Sequence, residues 1–174
     1  SVALSCRSDS SSTGYNPTNT TSKWRGGVFA YQGTALSARI NVYGTSTDWL
    51  ISNPIDLGAT PGLYRLRFDG SLNEYNSTTP STTLQTFKVE VIVSTNGGLT
   101  WDPTNIVRTY TGTTIPRLNE IIYLTNYSGV VKFAFRVQST SASPGHDIHL
   151  YIDNFVVEEL PSCLEASNVT TSNI

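Results

Sequence analysis

Methionine is absent from the 174 residues, and charged side chains make up only 14% of them. The missing methionine fits a mature or excised piece of a longer protein. With a net charge of −2 there is no basic stripe to attract nucleic acid and no polybasic segment for an anionic membrane surface. No apolar run approaches the roughly 18 residues of a membrane span, and SVALSCRSDSSS lacks the charged and apolar regions of a signal peptide. No stretch keeps helical spacing for eleven or more residues. No G-x-S-x-G motif occurs, the acidic residues are scattered singly, and nothing in the sequence selects a nucleophile with a base or a carboxylate pair. His146 and His149 sit three apart in an extended stretch, which turns them to opposite faces and argues against zinc. The composition therefore points away from an enzyme.

What is present is β-structure. Serine and threonine make up about a quarter of the chain, a composition suited to turns and exposed strand faces. Phe87, Val89, Val91 and Val93 alternate with polar residues, as do Val131, Phe133, Phe135 and Val137, and LYRLRFD at 63–69 does the same. Further strands are expected at 28–32, 36–44, 48–57, 106–110 and 120–124, with Pro54 marking a strand end. Asn96-Gly97 supplies a hairpin turn ahead of Trp101. Residues 70–83 read as a long polar excursion, and the first two dozen residues read as loop with at most one short strand. About ten strands divided by Gly, Pro and Asn turns predict an all-β, two-sheet antiparallel sandwich with jelly-roll topology. That domain is expected to span 1–160. The tail at 161–174 has the composition of an exit linker, with a weaker likeness to the start of a fibronectin type III domain.

The closing strand, DIHLYIDNFVVEEL at 147–160, turns Ile148, Leu150 and Ile152 to one face and His149, Tyr151 and Asp153 to the other. An aspartate inside a strand needs a partner. Two are open: a calcium ion, which takes carboxylates and carbonyls in flexible geometry, or a set of backbone amides. For calcium the candidate ligands are Asp153, Asp48 and Asp147, with a structural role. Cys6 and Cys163, near opposite ends, are either a disulfide or two thiols. Trp49 and Trp101 occupy positions that read as packing. Trp24, Tyr31 and Tyr75 remain as ligand-contacting candidates, Tyr75 because it lies in the long polar excursion.

DWLISNPIDL, STNGGLTW and HLYIDNFVVEE, in this order and at these separations, resemble the cleaved-adhesin and MAM-like jelly-roll domains of large secreted proteins in Bacteroidetes. The resemblance covers most of residues 24–160. Two features of that pattern are missing: an opening Phe-Glu pair, and a second aspartate after Asp153, where Asn154 stands. The resemblance implies a non-catalytic adhesion or glycan-binding accessory module, secreted or at the cell surface. Its partner would be a polysaccharide, glycoprotein or matrix protein, alongside further domains of the same chain. A spacer between neighbouring domains is the alternative.

Overall fold

A computed structural model of the chain describes residues 4–9, 14–139 and 147–161. Within them the two-residue alternation is realised as eleven strands in two antiparallel sheets packed face to face, a jelly-roll sandwich. The first sheet, sheet A, contains β1 (Leu4–Ser8), β4 (Ser46–Ser52), β10 (Val130–Ser139), β7 (Phe87–Ser94) and β8 (Ile106–Thr111) in that spatial order, with the short β5 (Ile55–Asp56) also on β10. Sheet B runs β2 (Trp24–Val28), β3 (Leu36–Val42), β11 (Ile148–Glu159), β6 (Tyr64–Glu74) and β9 (Glu120–Tyr123). The break between β4 and β5 falls at Asn53-Pro54, where proline has no N–H for the ladder.

The core lies between the sheets. Leu50, Val89, Val91, Val93, Val131, Phe133, Phe135 and Val137 meet Ile40, Leu66, Phe68, Leu72, Ile148, Leu150 and Ile152. Phe68 and Phe135 cross the interface edge to face at 4.8 Å, and Phe155 packs against Phe133 and Phe135 at 6.1 and 5.9 Å. Edge-to-face rings place the positive rim of one on the negative face of the other and add to the area they bury.

Two expectations need correction. The polar run after Asp69 does not leave the sheet, because β6 continues to Glu74. Leu72 is buried in the core there, while Ser71 and Asn73 face outward. Gly70 fits because it lies beneath Pro116, whose Cβ would stand 2.3 Å from any Cβ placed at 70. At 28–32 the strand stops at Val28, and the chain reverses in a tight turn closed by the Gln32 amide on the Phe29 carbonyl at 2.9 Å, with Ala30 and Tyr31 at φ 51° and 57°. The sparse first two dozen residues contain β1, an edge strand on β4. The closing strand has an irregularity between Asp153 and Val156, with Asn154 at φ 50°. That bulge absorbs the Asp-Asn step.

The outer face of sheet A carries a second, smaller core of Trp49, Ile51, Ile92, Trp101 and Ala134. Trp49, Arg136 and Glu90 lie side by side in register across β4, β10 and β7. Arg136 Nη1 bonds Glu90 Oε2 at 2.7 Å, Arg136 Nε donates to the Gly14 carbonyl, and the Tyr15 ring covers the guanidinium at 4.2 Å. Both charges are buried. Removing one partner of such a pair leaves the other charge desolvated and unpaired, so Glu90→Ala is expected to cost about 3–5 kcal/mol. Lys88, which also reaches Glu90 but stays partly in solvent, is expected to cost at most about 1 kcal/mol as Lys88→Ala. Urea unfolding of the two variants against the parent chain measures the contrast.

Candidate functional site

Sheet B has a different outer face. Alternation along β11 puts His149 and Tyr151 outside, and their register partners continue the surface: Asn41 and Asn73 flank His149, while Arg39 and Ser71 flank Tyr151. The turn Phe29–Tyr31 folds back over these strands. Tyr31 stacks on the His149 ring at 5.5 Å with an interplanar angle of 16°, Phe29 meets Tyr151 edge to face at 6.0 Å, and Tyr75 meets His149 at 5.0 Å. His149 and Tyr151 are buried beneath this layer, at 2% and 0% exposure. Tyr75 keeps 49% of its surface and Tyr31 is half-exposed. The result is an aromatic platform with a rigid floor and exposed rings above it.

Polar contacts hold the rings in place. Arg39 Nη1 donates to the Tyr31 hydroxyl at 3.1 Å, and that hydroxyl donates to Asn76 Oδ1. Tyr75 N bonds the Asp147 carbonyl at 3.1 Å, fixing the start of the 75–79 loop to the foot of β11. Beside the turn, a groove of about 410 Å³ runs between Phe29, Ala30 and Gln32 on one side and Thr78, Pro80 and Leu118 on the other, over Ser71 and Asn73. Its walls are apolar, with a few convergent amide and hydroxyl groups. Burial holds the His149 pKa down at about 4, with the nearby Arg39 charge acting in the same direction, so the imidazole is neutral at physiological pH.

Of the ligand-contacting candidates, Tyr31 and Tyr75 meet at this platform, both against the His149 ring. Trp24 does not. It packs in the main core at 2% exposure, because its position on β2 faces inward opposite Ile40. His149 and Tyr151 were not among the candidates, although the outward half of the β11 alternation is the signal that finds them. Trp49 and Trp101 are packing residues, 5.4 Å apart.

The metal candidates are not brought together. Asp48 is buried on sheet A, where its Oδ1 accepts from Ser22 Oγ at 3.0 Å and from the Lys23 amide at 2.7 Å. Asp153 and Asp147 belong to sheet B, six residues or about 20 Å apart along an extended strand. Asp153 Oδ1 accepts the Asn154 amide at 2.8 Å, which is the backbone-amide alternative. Among the described residues no group of three His, Cys, Asp or Glu side chains could hold a metal ion. Asp48, Asp147 and Asp153 therefore do not form one carboxylate cluster. Cys6 lies half-buried on β1, where burial raises its pKa. Cys163 lies outside the described residues, as do His146 and the tail from 162.

No protein-family model matches the chain, and no protein of curated function matches it. Solved structures do. The K1 cleaved adhesin domain of Lys-gingipain from Porphyromonas gingivalis W83 superposes with a TM-score of 0.50 and 16% identity, over 91% of this chain and 99% of that one. The N-terminal cellulose-binding domain of β-1,4-glucanase C from Cellulomonas fimi gives 0.46 and 13%, over 91% of each chain. TmCBM61, solved in complex with β-1,4-galactotriose, gives 0.42 and 16%, over 79% of this chain and 88% of that one. At these identities the likeness is one of fold.

The neutral, buried imidazole sets a pH dependence. Its folded pKa lies below the unfolded value of about 6.5, so the stability tied to neutral His149 is complete above that value and is lost as pH falls toward 4. Thermal melts between pH 7 and pH 4 are expected to fall more steeply for the parent chain than for His149→Gln, and the imidazole proton shifts in NMR are expected to titrate near pH 4.

Proposed function

We propose that the chain is a non-catalytic carbohydrate-binding module serving adhesion or substrate attachment in a larger secreted or cell-surface protein. The observation that carries this reading is the tyrosine pair, exposed Tyr75 and half-buried Tyr31, mounted on a buried His149–Tyr151 floor beside a groove lined by amides and hydroxyls. Sugar rings present an apolar face of C–H groups and a rim of hydroxyls. An aromatic ring covers the first, and Asn, Gln, Ser and Thr side chains meet the second.

Pre-organisation supports it further. Tyr31 is held by Arg39 and Asn76, and the 75–79 loop is pinned by Asp147, so little ordering remains to oppose binding. A spacer would have no use for half-exposed rings over a buried imidazole. Neighbours of this fold include proteins solved with β-1,4-galactotriose, mannohexaose and xylotriose, and a polysaccharide is accordingly the partner class proposed here.

Affinity electrophoresis of the isolated chain through gels containing single plant, bacterial or host polysaccharides tests the reading. Retention by at least one polymer is expected. Tyr75→Ala and Tyr31→Ala are each expected to weaken it by about thirtyfold, the loss of a roughly 2 kcal/mol anchor, with little change in melting temperature for Tyr75→Ala. Retention that survives both substitutions places the site elsewhere, and no retention by any polymer counts against a glycan ligand.

A further inference from the structure

Resting on that platform reading, we infer that the glycan is a helically twisted chain and not a flat ribbon, because the two tyrosine rings cannot lie in one plane. Tyr31 is inclined to the His149 ring by 16°, and Tyr75 is inclined to the same ring by 62°. Two planes referred in this way to a third differ from each other by at least the difference of those angles and at most their sum. The tyrosine planes are therefore inclined by no less than half a right angle and by less than a full one, whichever way each ring leans. Their centres lie 5.5 and 5.0 Å from the centre of His149, so a single ligand can reach both.

The inclination is fixed by the protein. Arg39 Nη1 holds the Tyr31 hydroxyl at 3.1 Å, and that hydroxyl donates to Asn76, the residue after Tyr75. One hydrogen bond thus ties the two ring-bearing segments together. The loop beyond Tyr75 is closed on itself, with the Ser77 amide on the Glu74 carbonyl at 3.1 Å, the Glu74 amide on the Thr79 carbonyl at 2.9 Å, and the Thr79 amide on Ser77 Oγ at 3.0 Å. Asn76 takes the left-handed turn this requires, at φ 50°, a conformation asparagine tolerates. The Tyr75 amide is bound to the Asp147 carbonyl. The two planes are set before a ligand arrives, and a chain of matching shape binds without reordering them.

An aromatic ring covers the C–H face of a sugar, so each tyrosine dictates the plane of the sugar it carries. In a two-fold ribbon each sugar is rotated half a turn from the last, and all ring planes stay parallel. Such a chain lies flat on one tyrosine and meets the other obliquely. In a three-fold helix each sugar is rotated by a third of a turn, which inclines neighbouring ring planes by two thirds of a right angle, inside the range the tyrosines allow. Alternate sugars in that helix have the same inclination, so the match holds whether the two rings meet neighbouring sugars or ones further apart. Beside the turn, Gln32, Ser71, Asn73 and Thr78 line the groove and supply amide and hydroxyl partners for the sugars that follow.

Titration calorimetry of the full chain with oligosaccharides six sugars long separates shape from chemistry. Xylohexaose and cellohexaose share linkage and equatorial hydroxyls, and differ in the hydroxymethyl group whose hydrogen bonds keep the glucose chain flat. Laminarihexaose and β-1,4-galactohexaose add two further twisted chains, and mannohexaose a second flat one. At least one twisted chain is expected to bind about tenfold or more tightly than either flat chain. Tyr75→Ala leaves a single ring and is expected to remove that preference, weakening the twisted chain about thirtyfold and the flat chains at most about threefold. Melting temperatures confirm that the variant folds. If cellohexaose or mannohexaose binds as tightly as every twisted chain, or the protein adsorbs to crystalline cellulose, the inference is overturned and the platform reading stands. A preference that survives Tyr75→Ala also overturns it, since the second ring then does not sense the twist. No binding of any oligosaccharide removes both readings.

Discussion

The central position of β11 in its sheet is the constraint on which both the fold and the site depend. It pairs with β3 on one side and β6 on the other, and its register fixes which side chains reach the core and which reach the outer face. Ile148, Leu150 and Ile152 fill the space between the sheets, and His149 and Tyr151 form the platform floor. A slip of one residue would exchange the two sets, burying an imidazole and a phenol in the main core and exposing three aliphatic side chains. The area buried by those aliphatic residues therefore holds the platform in place as well as the sandwich. The site is rigid because it is the reverse side of the core.

The two outer faces illustrate how similar residues acquire different roles. Sheet A carries an arginine among aromatic rings, as sheet B does, but Arg136 is enclosed: Glu90 answers its charge, Gly14 accepts its Nε, and Tyr15 roofs it. Trp49 and Trp101 close that layer from the sides. Its two tryptophans are spent on packing. On sheet B the cover is a single tight reverse turn, Phe29–Tyr31. It buries His149 and Tyr151 but leaves its own rings half-exposed. The positive φ of Ala30 and Tyr31 is what folds this turn tightly enough to lay Tyr31 flat on the imidazole. Left-handed backbone at two non-glycine residues costs energy, and the stacking and the Arg39 and Asn76 contacts offset it.

Much of the fold was legible in the sequence because period-two alternation is a local property. Val89 to Val93 and Val131 to Val137 lie where their pattern puts them. The failures came where local pattern and tertiary context part. The strand of 64–74 looked finished at Asp69 because Gly70, Ser71 and Asn73 are poor strand formers, yet Leu72 reaches the core and Pro116 covers the glycine. VFAYQ has strand composition, but its chain reverses at Ala30. Trp24 is a ligand-contacting candidate by sequence, whereas its place on β2 turns it inward opposite Ile40. Tyr31 and Tyr75 could be named from their loop settings, but nothing in the sequence shows that residues 44 apart flank one histidine.

The aspartate in the closing strand shows what the structure adds to a sequence argument about polar groups. Asp153 stands opposite Asp69 in register, and two carboxylates in that position repel. The bulge resolves the conflict with neutral groups. Asn154 turns to φ 50°, its amide N–H serves Asp153, and its side chain donates to Asp69 Oδ2 at 2.7 Å, while Asn119 N takes Asp69 Oδ1 at 2.6 Å. A second aspartate at 154 would replace a donor by an acceptor and bring a third negative charge to this point, a situation that calls for a cation. With asparagine there, the same backbone is satisfied by its own amides. The Asn154 amides thus hold the bulge by hydrogen bonds to Asp153 and Asp69.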